Sequence, residues 1–247
     1  MEAGSLVLTF VAIAIGSLLK GITGLGLPVV ALPVLSYFVG LPHAIGVLIM
    51  PILITNLHQS IQTGAALRDV TFLWPAILTG ALGLGAGTWF LTVTSPDKLN
   101  VGLGLMLIFY ICLRVFNPKF SLSPQTAARM SPFVGFLGGF AQGATGLCAA
   151  VIVPFVQSIR LERVAIIFTI STIFLIFAVI QFLALLSAGL LQTSYILEGV
   201  LALVPVAIFM PLGTWVGRRI SREAFDRVFL VILAAIAVGL IVNPHPG

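Results

Sequence analysis

The apolar positions of this chain do not alternate with polar ones. They form long runs, bounded by charged or turn residues, at about 5–39, 44–63, 70–92, 98–116, 131–158, 164–187, 195–217 and 225–242. A hydrocarbon core about 30 Å thick takes roughly 20 apolar residues per helical crossing. Strands of a membrane barrel would change polarity at every second residue, which these runs do not. The pattern predicts an all-α polytopic membrane protein with very little loop.

Two of the runs are unsuited to simple helices. The first is interrupted by Lys20-Gly21-Ile22-Thr23-Gly24-Leu25-Gly26-Leu27-Pro28, and the fifth by Gln142-Gly143-Ala144-Thr145-Gly146-Leu147. Limbs of about 10–15 residues on either side of each break reach only about 15–22 Å at the helical rise. Both runs are therefore expected to be re-entrant helical hairpins. Elsewhere, Ser95-Pro96-Asp97 and Ser221-Arg222-Glu223 each supply a serine N-cap and an acidic first turn, which mark helix starts.

The breaks are related to each other. Gly21-Ile22-Thr23-Gly24-Leu25 returns as Gly143-Ala144-Thr145-Gly146-Leu147 at an offset of 122, and Gly87-Thr88-Trp89 returns as Gly213-Thr214-Trp215 at an offset of 126. Ser95 and Asp97 return as Ser221 and Glu223 at the second offset. The chain reads as two copies of one unit. The N-terminal repeat, 1–118, holds hairpin 5–39 and helices 44–63, 70–92 and 98–116; a cytoplasmic linker, 119–130, follows; the C-terminal repeat, 131–247, holds hairpin 131–158 and helices 164–187, 195–217 and 225–242.

Cations set the orientation, because cytoplasmic loops attract Lys and Arg. If each hairpin returns to the side it entered, Arg68, Arg114, Lys119, Arg129, Arg160, Arg163, Arg218, Arg219, Arg222 and Arg227 share one face against Lys98 alone. If each interrupted run crosses once, the split falls to seven against four. The first arrangement is the polarised one, whether the hairpins are re-entrant or two short crossings. It places both termini on the periplasmic or extracellular side of a bacterial inner membrane and turns the second copy upside down. The expected fold is thus two inverted repeats, each a re-entrant helical hairpin plus three transmembrane helices.

Composition excludes most other classes. Of 247 residues, 60% are hydrophobic and 8% charged, against roughly 25% charged in soluble domains, so no extramembrane domain is expected. The net charge of +5 would suggest nucleic acid only if the cations clustered on a folded face; here they flank apolar runs, and no nucleic-acid partner is expected. Cys112 and Cys148 lie in apolar stretches without metal-ligand spacing, so neither a metal nor another cofactor is expected. The N-terminus lacks the cationic start of a cleaved signal, so the first run is expected to stay. No phosphate-binding loop, nucleophile elbow, zinc-hydrolase motif or intramembrane aspartate pair occurs, so neither ATP-driven pumping nor an enzyme is expected.

The chemistry on offer sits at the breaks. Non-helical backbone at membrane depth is tolerated only where it is buried in protein or lines a wet cavity. The second limb of each hairpin starts at its turn, which would aim a helix N-terminus, with its amides and positive dipole end, at an anion. Gly21, Gly24, Gly26, Gly143 and Gly146 would let backbone approach a ligand, and Thr23 and Thr145 would offer hydroxyl donors; the plainer reading of these glycines is close helix packing. Lys20 is the only cation in the middle of an apolar run, the others in runs lying within a few residues of an end, and its counterpart is the neutral Gln142. Asn56 and Gln59 on the second run would line the pathway or bond between helices. Glu198 offers a proton-coupling carboxylate or an interfacial anchor, and His43 and His58 are candidates for proton exchange, since imidazole is the side chain suited to it near neutral pH.

At these repeated motifs the chain resembles the TauE/SafE family of membrane permeases, also called the toluene-sulfonate uptake permease family. The resemblance rests on the two glycine motifs above, the first followed by Pro33 and Ala44 and the second by Pro154 and Ala165. It implies a secondary transporter, commonly an exporter, of a small sulfur-containing anion such as sulfite or an organosulfonate. The second turn departs from the first, with Cys148-Ala149-Ala150 where the first has Gly26-Leu27-Pro28. The expected partners are this anion, the bilayer and a coupling proton or ion, with the anion near the midplane between the two hairpins; an anion channel, or a transporter of another oxyanion, is the alternative.

Overall fold

A computed structural model describes residues 3–24, 26–64, 73–116, 121–159, 161–219 and 222–244, and the side chains of all of these except 3–6 and 222–229. Arg68, Lys119, Arg160 and Ser221, on which part of the charge count and one helix start rest, lie outside the described residues, as do the side chains of Arg222, Glu223 and Arg227. The described residues are mainly helical, with no strand among them. In chain order the helices are α1 (Ala3–Thr23), α2 (Leu27–Val39), α3 (Leu41–Gln62), α4 (Leu73–Val93), α5 (Pro96–Phe116), α6 (Pro124–Thr145), α7 (Ala149–Ser158), α8 (Arg163–Ser187), α9 (Thr193–Leu201), α10 (Leu203–Gly217) and α11 (Arg222–Val242).

Among the described residues, five spans are long and apolar enough to cross a membrane: α3, α4, α5, α8 and the stretch Thr193–Gly217 formed by α9 and α10, interrupted only at Ala202. They answer five of the six full helices expected from the sequence. The sixth corresponds to α11, whose described apolar part is Leu230–Val242. Large apolar side chains such as Leu78, Leu82 and Trp89 stand exposed along these helices, as lipid-facing positions do; in water they would form an aggregation surface.

Both interrupted runs break. The limbs before the breaks are longer than the 10–15 residues expected: α1 has 21 residues and α6 has 22. α6 starts well before its apolar run because Ser123 caps it, its Oγ accepting from the Thr126 amide at 3.2 Å, with Pro124 in the first turn. The limbs after the breaks are short. α7 has 10 residues and α2 has 13, about 15 and 20 Å of helix, both less than a hydrocarbon core about 30 Å thick.

The chain forms two compact units. The first comprises Met1–Pro51, Ser95–Ile111 and Leu190–Gly247, and within it α1 packs along α10 and α2. The Asn100 amide donates to the Pro244 carbonyl at 2.9 Å, and the Asn243 amide to the Tyr37 hydroxyl at 3.1 Å, tying the last helix end to α5 and α2. The second unit comprises Ile52–Thr94 and Cys112–Gly189. There α4 and α6 lie in their closest approach through glycine: a β-carbon on Gly139 would collide with the Gly80 carbonyl, and one on Gly83 with the Phe136 carbonyl. Small residues give the backbone contact that lipid, as apolar as leucine, cannot drive by hydrophobicity.

Candidate functional site: two broken helical hairpins

In the first unit, α1 ends at Thr23 and α2 starts at Leu27. Gly24 closes α1 in the left-handed region, φ 81°, its amide donating to the Lys20 carbonyl at 2.7 Å. Glycine takes this conformation without the Cβ penalty. Gly26, at φ 144°, precedes α2 and its first-turn Pro28. The Thr23 hydroxyl donates back to the Leu19 carbonyl at 2.9 Å. Lys20 is 2% exposed, while Gly21 to Gly24 are half-buried. Gly21 faces the backbone of α10: a β-carbon there would collide with the Met210 carbonyl and lie 2.8 Å from the Thr214 amide nitrogen.

In the second unit the same steps recur. α6 ends at Thr145, Gly146 adopts φ 75°, and its amide donates to the Gln142 carbonyl at 2.7 Å. The Thr145 hydroxyl donates to the Ala141 carbonyl at 2.8 Å. Gly143 faces the backbone of α4, where a β-carbon would collide with the Leu84 carbonyl and lie 2.7 Å from the Thr88 amide. The motifs Gly87-Thr88-Trp89 and Gly213-Thr214-Trp215 are thus the seats on which the glycines of the two hairpins rest.

Side-chain chemistry separates the two turns. The Gln142 Oε1 accepts from the Cys148 amide at 3.0 Å, its Nε2 donates to the Gln181 Oε1 at 2.7 Å, and the Gln181 Nε2 donates to the Gln142 carbonyl at 2.7 Å. Residues 141–150 are all buried. One amide that the sequence reading held out to a ligand is therefore taken within the chain, at Cys148. Lys20, in the corresponding place, has three donors and no acceptor, so its ammonium cannot cap an amide as Gln142 does. Both threonine hydroxyls give their proton to the preceding turn and keep lone pairs rather than a donor.

On α3, the Asn56 side-chain amide donates to the Ile52 carbonyl at 2.8 Å. Gln59 Oε1 faces the Ser171 hydroxyl of α8 at 3.4 Å, and Ser60 meets Thr172 at 3.5 Å. Both Asn56 and Gln59 are buried, and the Gln59 and Ser60 contacts give the bonds between helices that the sequence allowed as one reading. Gln181 and the pair His43–Glu198, 2.8 Å apart, have no one-dimensional signature that pairs them with their partners. The only hint in the sequence is a polar residue within an apolar run.

Membrane-length apolar helices beside two apolar helices interrupted by non-helical turns, one with a buried lysine a turn before the break, are features found in secondary transporters. The family model for the sulfite exporter TauE/SafE matches residues 8–240, nearly the whole chain. The protein belongs to that family, whose members are membrane transporters rather than enzymes. No curated protein and no solved structure gives a significant match.

Proposed function

We propose that this protein is a secondary transporter that exports a small sulfur oxyanion, sulfite or an organosulfonate, and that the anion docks at the first hairpin. The observation that carries the reading is Lys20. An ammonium 2% exposed in an apolar helix is costly and is retained in membrane segments for function. It stands one turn before a break bordered by Gly24 and Gly26, next to a short helix whose N-terminus carries donors and a positive dipole end. Ammonium and amides are all donors, and an oxyanion supplies acceptors for them. On this proposal Lys20, Gly21, Gly24 and Gly26 form the anion seat, and Thr23, whose hydroxyl is bonded back to Leu19, fixes the turn. Gln142, Gly143, Thr145 and Gly146 are its counterpart in the other repeat.

The inverted-repeat reading is supported by the packing within each unit. Gly21 rests on Met210, Gly213 and Thr214, and Gly143 rests on Leu84, Gly87 and Thr88; the second set becomes the first on adding 126. Each hairpin therefore leans on the second full helix of the other copy. In a bacterial inner membrane with the arginine-rich loops in the cytoplasm, both termini would face the periplasm and each copy would present its hairpin from the opposite side.

Thermal unfolding of the detergent-solubilised protein tests the reading. A ligand at about a hundred times its Kd stabilises the folded state by about 2.7 kcal/mol. Sulfite, thiosulfate or sulfoacetate should raise Tm of the wild type and leave Lys20→Met unmoved. Equal responses in both proteins would remove Lys20 from the site.

A further inference from the structure

We propose that His43 and Glu198 form a proton-binding site, separate from the anion seat, that couples transport to the proton gradient; the coupling rests on the transport reading above. The two side chains come from α3 and α9 of the first unit. His43 Nε2 lies 2.8 Å from Glu198 Oε2, and the side chains are 18% and 6% exposed. The other carboxylate oxygen, Oε1, is buried and has no hydrogen-bond partner. A buried ionised carboxylate with one oxygen unsatisfied is held at a cost. A proton relieves that cost, either on Oε1 or on the imidazole. Uptake of one proton from bulk water takes the pair from a net charge of −1 to neutral: carboxylate with neutral imidazole becomes carboxylate with imidazolium, or carboxylic acid with neutral imidazole. The partial exposure of His43 gives that proton a way in.

The surroundings hold the pair in register. The Tyr195 ring stacks on the His43 ring, centroids 4.2 Å apart and planes 16° from parallel. A β-carbon on Gly46 would lie 2.9 Å from Tyr195 Cδ2, and one on Gly199 would lie 2.5 Å from the Val47 carbonyl oxygen. Glycine at both positions is what lets α3 and α9 come close enough for the bond. Tyr195 is the one further titratable group against the pair on these two helices. Otherwise α3 carries His58, fifteen positions further along, and α10 carries no titratable side chain. The second repeat has no equivalent: residues 121 and 122 positions after His43 are Val164 and Ala165, and Phe72 lies 126 positions before Glu198.

The link to the anion seat runs through one stretch of chain. α9 ends at Leu201 and continues after Ala202 as α10, whose Met210, Gly213 and Thr214 backbone is pressed against Gly21, next to Lys20. A change of charge that shifts α9 against α3 is thereby delivered to α10 and to the turn that follows Lys20.

Proteoliposomes holding the full chain test this with radiolabelled sulfite as the probe, measuring exchange at equal pH and accumulation under an imposed pH gradient. One pH unit corresponds to about tenfold accumulation for one coupled proton. The wild type should show both activities; E198Q and H43Q should keep exchange within about twofold and lose the tenfold accumulation. Accumulation undiminished in both variants would overturn the proposal. If E198Q does not fold, H43Q carries the test, since a glutamine amide can still donate to the carboxylate. If the wild type does not exchange sulfite, the transport reading fails instead. The proton site is then judged by Tm between about pH 5 and 8, where a pH dependence diminished in both variants supports it and one identical to the wild type overturns it.

Discussion

The two hairpins share a backbone and differ in their tips. Each first limb ends with a threonine bonded back to the preceding turn and a glycine in the left-handed region, and each rests on a Gly-Thr-Trp seat. The second tip is closed by its own side chains, with Gln142 and Gln181 exchanging hydrogen bonds and capping Cys148, and all of 141–150 buried. At the first tip the glutamine is replaced by Lys20, residues 21–24 are half-buried, and Gly26 takes the place of Cys148. On the proposed reading, this exchange of an amide for an ammonium divides the two copies between scaffold and binding site, because an amide both donates and accepts while an ammonium only donates.

The most severe way to break the comparison is at what the hairpins share. Gly21→Leu and Gly143→Leu should each prevent accumulation of folded protein, because the new side chain would meet backbone that cannot move aside. The milder alanine variants should cost about 1–3 kcal/mol, in the range of overpacked sites. Gly85→Ala, with nothing within 4 Å of its β-carbon, should leave thermal unfolding unchanged. If the two hairpins are equivalent scaffolds, Gly21→Ala and Gly143→Ala lower Tm alike; a large difference would separate them.

The next effect comes from exchanging the tips. Gln142→Lys would leave the Cys148 amide without its acceptor in a buried place and should destabilise by about 1–3 kcal/mol, the cost of one unsatisfied buried group. Lys20→Gln should be tolerated in the fold but weaken sulfite binding by about tenfold to a hundredfold, the worth of a hydrogen bond to a charged group; titration by thermal shift reads both. A stable Gln142→Lys together with an unstable Lys20→Gln would reverse the assignment of scaffold and site. Smallest of all should be Thr23→Val and Thr145→Val, each below about 1 kcal/mol, because the hydroxyl returns to a carbonyl already within the helix.

Much of this was legible in the residues. The apolar runs of α3, α4, α5, α8 and α9–α10 announce themselves by length, and the breaks by glycine and proline. The sequence misjudged the limbs: α6 extends back to Pro124 because the Ser123 cap and Pro124 carry helix beyond the apolar run, and α1 stays helical through Gly21 and Thr23 up to Gly24. Gly21 remains helical although glycine disfavours it, because its missing side chain admits the backbone of α10.

Membrane class, the long apolar runs, the position of the two interruptions and the repetition of their motifs are properties of neighbouring residues or of fixed spacing, so a single chain read from end to end determines them. The closing of one tip by Gln181, 39 residues beyond Gln142, the seating of Gly21 against Gly213, and the meeting of His43 with Glu198 across 155 residues were decided only by tertiary structure. Hydropathy says that a polar side chain must find a partner in an apolar setting, but which one it finds depends on how helices far apart in sequence are brought together, and that is set by packing.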